Sequence, residues 1–217
     1  MRLTHLGHSC LLVESGDDRV LIDPGTFSDF AGVSRLDAVF VTHQHADHVD
    51  VGKLSGLLEA NPGVALHAEP QTVKVLSELG VAAHETASGR AVGAGRLTVT
   101  PVGELHAVIH DYLPRIGNLG LVVAEADGPT LFHPGDALDA DPGVPVDLLA
   151  VPLNAPWCAV KETVAFVRRI APGAIIPIHD GLLRPERRPI YLGHLTDYGL
   201  EGGVITHDLS GGRPTDF

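Results

Sequence analysis

Thr42-His43-Gln44-His45-Ala46-Asp47-His48 places three imidazoles and a carboxylate within seven residues, directly behind the apolar run Ala38-Val39-Phe40-Val41. Such a density of ligand-type side chains points to a metal, because neutral imidazole and carboxylate are the usual ligands of zinc-type sites. Side chains alternate along an extended segment, so His43 and His45 are expected on one side, closing on one cation. Asp47 and His48 follow a bend. With a helix starting between Val49 and Lys53, they would be aimed at a second position a few ångströms away, so one cluster suggests two metals.

The rest of the chain supplies a folded α/β frame. Leu3 to His5, Cys10 to Glu14 and Arg19 to Ile22 read as an opening meander, with turns at Gly7 and Gly16-Asp17-Asp18. Val51 to Ala60 has apolar residues at helical spacing and stops at Asn61-Pro62-Gly63. Val64 to Ala68 is the next strand and Pro70 to Leu79 the next helix, with Gly80 as its C-terminal cap. A loop containing Ala87 to Gly95 precedes the strand Leu97 to Val102. Asn118 to Glu125 and Thr130 to His133 form a hairpin around Asp127-Gly128, and Val146 to Pro152 is a strand. Val160 to Ile170 is helical and Ala174 to Ile178 is a strand ending in His179. The segment 185–200 reads as partly helical, and 203–207 as a final strand.

Several strands end in a chemically active residue. Asp23 follows Leu21-Ile22, and Asp136 follows Pro134-Gly135. A metal held by His43 and His45 needs a third nitrogen; His106, a few residues after a strand, is preferred and His110 competes. His110 would otherwise sit at the pocket mouth, touching substrate. His133 reads as a buried, hydrogen-bonded histidine rather than a ligand. Trp157, the only tryptophan, follows a strand and either lines the pocket or covers the core.

The spacing His-x-His-x-Asp-His resembles the signature of the metallo-β-lactamase-fold superfamily, and the threonine before it matches the commonest form. The resemblance extends from Gly7-His8-Ser9 through Leu21-Ile22-Asp23-Pro24, His106 and Phe132-His133-Pro134-Gly135-Asp136 to Ile178-His179-Asp180-Gly181. Within that superfamily the Leu-Gly-His-Ser-Cys opening is most similar to the branch of the ascorbate-6-phosphate lactonase and its UPF0173-type metal-dependent hydrolase relatives. The resemblance implies a four-layer αββα sandwich, two mixed β-sheets flanked by helices, in one domain over residues 1–217. It implies that Asp23 orients the metal-binding loop, that Asp136 bridges two cations, and that His179 joins Asp47, His48 and Asp136 at the second metal.

It further implies hydrolysis by a water activated between two divalent ions about 3.5–4 Å apart, without a protein nucleophile. Zinc is the expected metal, and Mn, Fe and Ni suit the same ligands. Asp47 would ligate and accept a proton from the attacking water. His110 and Asn118 are candidates for an electrophilic or orienting role. The substrate would be a small ester, lactone or phosphodiester; the rival readings are a non-catalytic metal-binding protein and a nucleic-acid-processing hydrolase. No lid domain, flavodoxin-like module or long helical extension is read in the 217 residues, which moves RNA, diiron redox and glyoxalase II substrates back.

Composition agrees with a small-molecule partner. A net charge of -12 and no Lys/Arg cluster argue against a polyanion. Cys10 and Cys158 form no Cys-x-x-Cys pair and read as buried small hydrophobes. The N-terminus lacks the apolar core of a signal peptide, and no stretch approaches a membrane span. A cytoplasmic protein is expected, with a homo-oligomer left open.

Overall fold

The computed structural model describes residues 1–217 as two seven-stranded sheets and four helices. In chain order the elements are β1 (Arg2–His5), β2 (Leu11–Ser15), β3 (Asp18–Ile22), β4 (Ala38–Val41), α1 (Val51–Ala60), β5 (Ala65–Ala68), α2 (Pro70–Glu78), β6 (His84–Glu85), β7 (Val92–Ala94) and β8 (Leu97–Val102). They continue with β9 (Gly120–Glu125), β10 (Thr130–His133), β11 (Leu148–Pro152), α3 (Val160–Ile170), β12 (Ala174–Ile178), α4 (Arg188–Tyr198), β13 (Ile205–Thr206) and β14 (Thr215–Asp216). The first sheet runs β14-β1-β2-β3-β4-β5-β6 and the second β13-β12-β11-β10-β9-β8-β7. Each is mixed: β3 to β6 and β10 to β13 pair in parallel, and the other neighbours are antiparallel.

The period-two alternation of strand side chains builds four layers. Val20, Ile22, Ala38 and Phe40 of one sheet meet Val99, Val123, Leu148, Ala150 and Ile176 of the other in the central core. The intervening residues Leu21, Val39 and Val41 face outward onto Leu54 and Leu57 of α1 and Leu76 of α2. In the second sheet Leu149, Val151 and Ile175 pack on Phe166 and Val167 of α3 and Leu195 of α4. The order is therefore helices, sheet, sheet, helices. The near-continuous apolar runs of β4, β11 and β12 follow, since a parallel strand buried on both faces has no polar side to show.

Local chemistry sets the helix ends. The Asp50 carboxylate accepts from the N–H groups of Gly52 and Lys53 at the start of α1, and Glu69 does the same for Gln71 and Thr72 before Pro70 opens α2. No helix is long and apolar enough to cross a membrane.

The structure corrects three expectations. His43 and His45 do not lie in a strand: β4 ends at Val41, and residues 43–48 form bends and turns. The loop 87–95 contains the short strand β7, whose Gly93 and exposed surroundings dilute the alternating pattern. The last strand is β14, which pairs with β1, and not β13.

Candidate metal centre

The carboxyl ends of parallel strands in both sheets converge on one place, the position where open α/β sheets offer their loops to ligands. β3 delivers Asp23, β4 delivers Thr42 to His48, β10 delivers Asp136, β11 delivers Asn154, and β12 delivers His179. Three of the loop residues, His8, Asp23 and His179, have left-handed backbones with φ of 53°, 48° and 57°. Non-glycine residues adopt that region at a cost, which concentrates where a site over-determines the backbone.

Two groups of ligand atoms result. His43, His45, His106 and Asp136 form one; His8, Asp47, His48 and His179 form the other. Asp136 lies between them, its Oδ1 3.0 Å from Nε2 of His48 and its Oδ2 3.4 Å from Nε2 of His106 and 3.3 Å from Nε2 of His179. Nε2 of His43 is 3.0 Å from Nδ1 of His45. The histidines of the Thr42–His48 loop thus share a focus because of the bend, not because of strand alternation.

Metal fit is tested by what the buried polar atoms lack. Nε2 of His48, His106 and His179 and Oδ1 of Asp136 are buried with no hydrogen-bond partner. The 3.0 Å approach of His48 to Asp136 is badly angled for a hydrogen bond, so both atoms remain unpaired although adjacent. Unpaired buried polar groups are costly and rare. Several lone-pair atoms converging on one point are what a divalent cation requires, so these residues fit one.

A ring of hydrogen bonds orients the ligands. Asp23, fully buried, accepts from the Thr42 N–H (2.8 Å), the Thr42 hydroxyl (2.8 Å) and Nδ1 of His48 (2.7 Å). His106 and His179 turn Nδ1 to the carbonyls of Ala107 and Asn154, each at 2.7 Å. Such partners fix ring orientation and raise ligand basicity. Gly135, at φ 60°, lets the chain bring Asp136 inward; a Cβ there would fall 2.3 Å from Oδ1 of Asn118 and 2.9 Å from Cβ of Thr42.

Electrostatics follow from burial and crowding. Burial and the neighbouring imidazoles hold the His43 pKa well below the usual histidine range. Burial also pushes His48 down, but Asp136 and Asp23 on either side hold it well above that range. Burial pushes the Asp47 carboxyl up, yet the hydrogen bond with His8 and the charges of His48 and His179 bring it down to about 2. Asp136, despite burial, is held well below the usual carboxylate range by His48 and His179.

The seven expected ligands, His43, His45, Asp47, His48, His106, Asp136 and His179, all lie in these two groups. His110 does not. It is exposed on the loop after His106, where its Nδ1 accepts from the Tyr112 N–H and its ring lies beside that of Tyr112. Asn118 is not free to act as an electrophile: its Oδ1 accepts from the Asp136 N–H and its Nδ2 donates to the Pro134 carbonyl, so it positions the Asp136 loop. His133 is buried and hydrogen-bonded, as its sequence context suggested. Trp157 belongs to the centre, its Nε1 donating to Oδ2 of Asp136. His8, in the Gly7-His8-Ser9 stretch, joins the second group without being expected as a ligand; a buried histidine preceded by glycine gives no sign of which loop it will meet.

A cavity of 90 Å³ opens beside His45 and His106, walled by Ile109, Leu113, Pro114 and Ile116. The Arg115 guanidinium at its edge is engaged by the carbonyls of His106 and Leu105 and by Asp139.

Residues 2–179 match the family model described as the beta-lactamase superfamily domain. The chain belongs to that superfamily. The protein Rv0786c of Mycobacterium tuberculosis is 47% identical over 199 residues, covering 91% of this chain and 92% of the relative. A UPF0173 metal-dependent hydrolase of Azorhizobium caulinodans is 31% identical, covering 86% of this chain and 89% of its own. The superfamily member is thus placed in the UPF0173 metal-dependent hydrolase branch. In fold it is similar to Igni18, a metallo hydrolase from Ignicoccus hospitalis, with a TM-score of 0.74 and 17% identity over 100% of this chain and 97% of that one.

Proposed function

We propose that this metal-dependent hydrolase of the metallo-β-lactamase fold holds two divalent ions, zinc first among the candidates, and cleaves a small ester, lactone or phosphodiester. The observation that carries the reading is Asp136, a buried carboxylate between two groups of ligand atoms in which Nε2 of His48, His106 and His179 has no hydrogen-bond partner. His43, His45, His106 and Asp136 would hold one ion, and Asp47, His48, His179 and Asp136 the other. When bound, the pair supplies Lewis-acid activation of water and polarisation of the oxygen under attack.

The chain's own residues do the rest. Asp47 keeps its carboxylate ionised at neutral pH and is the one ligand carboxylate that reaches solvent, with a quarter of its side chain exposed. That suits it to take a proton from the attacking water. Asp136 is sealed from water and serves orientation and charge. The cavity beside His45 and His106 offers an apolar berth for the group next to the scissile bond. The net charge of -12 favours a small molecule over nucleic acid as the partner.

The test is metal content per chain, measured with hydrolysis of a panel of lactones, thioesters and bis-p-nitrophenyl phosphate, against Asp136→Ala. Two metals and a rate abolished in the variant are expected. Stoichiometric metal with no hydrolysis above the variant's rate would move the protein to the binding reading.

A further inference from the structure

On distance alone His8 is grouped with Asp47, His48 and His179 as a possible ligand. Hydrogen bonds on the far side of each ring decide differently. The Nδ1 atoms of His48, His106 and His179 face acceptors: Asp23 Oδ2, the Ala107 carbonyl and the Asn154 carbonyl. Nδ1 of His43 lies 3.1 Å from the Thr42 hydroxyl, whose own proton goes to Asp23, so that hydroxyl accepts. All four rings therefore bear a proton on Nδ1, and Nε2 offers a bare lone pair to the centre.

His8 is wired the other way. Its Nδ1 accepts the backbone N–H of Gly181 at 3.0 Å, so Nδ1 holds the lone pair and Nε2 holds the proton. That Nε2 lies 3.1 Å from Oδ2 of Asp47. A backbone N–H has no alternative role, which makes the assignment stronger than one resting on a hydroxyl or a second imidazole. Gly181 is required for the approach, since a Cβ there would fall 2.9 Å from Nδ1 of His8. His133 shows the same wiring, with Nδ1 accepting from the Gly135 N–H and Nε2 donating to the Ser9 carbonyl.

We propose that His8 is not a metal ligand but a positioning residue, an N–H donor that fixes the carboxylate of Asp47 while its ring and carbonyl tie Asp47 to the His179 loop. The carbonyl of His8 accepts from the His179 N–H (2.8 Å) and from Nε2 of His5 (2.7 Å). A carboxylate oxygen has two lone pairs, so Oδ2 of Asp47 can accept from His8 and still face a cation. One residue then sets the relative position of two ligands that arrive from different sheets. The catalytic consequence rests on the two-metal reading; the assignment of the His8 proton does not.

The experiment is long-range proton–nitrogen correlation spectroscopy on isotope-labelled protein, metal-free and cadmium-loaded, with metal counts and steady-state kinetics of two variants. His8 should show a proton on Nε2, a bare Nδ1 and no spin coupling to cadmium, while His48 and His179 couple through Nε2. His8→Leu should keep two metals per chain and lose about 10- to 100-fold in kcat, and His8→Gln, which restores a donor, should recover most of the loss. Coupling of His8 to cadmium, or loss of one metal in both variants, would overturn the proposal. If the wild-type protein held no metal, the two-metal reading would fall. The metal-free spectrum would still decide this one, a proton on Nδ1 of His8 sinking it.

Discussion

Nε1 of Trp157 donates to Oδ2 of Asp136 at 2.8 Å, which ties the only tryptophan of the chain to the carboxylate that sits between the two ligand groups. The indole also stands edge-on to His106 and His179, with ring centroids 5.9 and 6.2 Å away. Tryptophan fluorescence therefore reports on the metal centre. Titrating metal-free protein with cobalt should quench Trp157 in proportion to occupancy. Trp157→Phe should keep the fold and, by freeing the carboxylate to rotate, weaken metal retention by about 10-fold in a chelator competition. Quenching that continues past saturation of the centre would detach the indole from it.

Asp23 carries a different burden. It accepts three hydrogen bonds in a fully buried position, two from Thr42 and one from His48. Each donor left unpaired in the interior costs about 1–3 kcal/mol. Asp23→Ala should thus destabilise the metal-free protein by about 3 kcal/mol or more in urea unfolding and release His48 from its orientation. A variant as stable as wild type would show that water replaces the carboxylate without loss.

The contrast between these two residues shows what the sequence could disclose. Asp23 was legible because its place at the end of Leu21-Ile22 belongs to a family pattern, and the helices α1 and α3 were legible because spacing and stop signals coincide. The ligand motif was legible as chemistry, but the reason its histidines converge was not: they lie in bends beyond β4, where strand alternation does not apply. Trp157 and Asn118 act through partners about twenty residues away along the chain, and His8 through partners 39 and 173 residues away. Most of these contacts join loops of one sheet and the His8–Gly181 bond joins loops of both, and no local pattern encodes which loops meet. His110 illustrates the reverse, a ligand-type residue near the right place in sequence that the loop carries outward to solvent.

Protonation and metal binding oppose each other at this centre. In the metal-free protein His48 and His179 have raised pKa values, each held up by Asp136 against the effect of burial, while that of Asp136 is lowered. A raised histidine stabilises fully below its unfolded value of about 6.5, and that contribution is gone once the pH passes the folded value. A depressed carboxylate stabilises above its unfolded value of about 3.9 and loses that contribution as pH falls through the folded one. The contribution of His48, His179 and Asp136 to the stability of the metal-free protein should therefore be largest between about pH 4 and 6.5 and fall above, while the lowered pKa of His43 works in the opposite direction. Metal ligands must be deprotonated, so zinc uptake should release protons, and the rise in Tm on adding zinc should grow from about pH 6 to 8. Calorimetry in buffers of different ionisation enthalpy measures the release directly; a stabilisation by zinc that shrinks with rising pH would contradict this wiring.

The cavity beside His45 and His106 sets an expectation for substrate size. It is small, 90 Å³, and its walls Ile109, Leu113, Pro114 and Ile116 are apolar, which suits a short aliphatic group. The nearby Arg115 guanidinium is engaged through Nε and Nη2 by backbone carbonyls and Asp139. Short acyl groups should therefore be favoured, butyryl over acetyl until the cavity is full and then no further gain with length. Each methylene buried is worth about 0.8 kcal/mol, so two of them separate acetyl from butyryl by about 15-fold in kcat/KM. Leu113 is half exposed, so Leu113→Trp should fill the cavity without disturbing the core and erase that preference while sparing acetyl esters. Equal losses on both esters would place the acyl group elsewhere in the site.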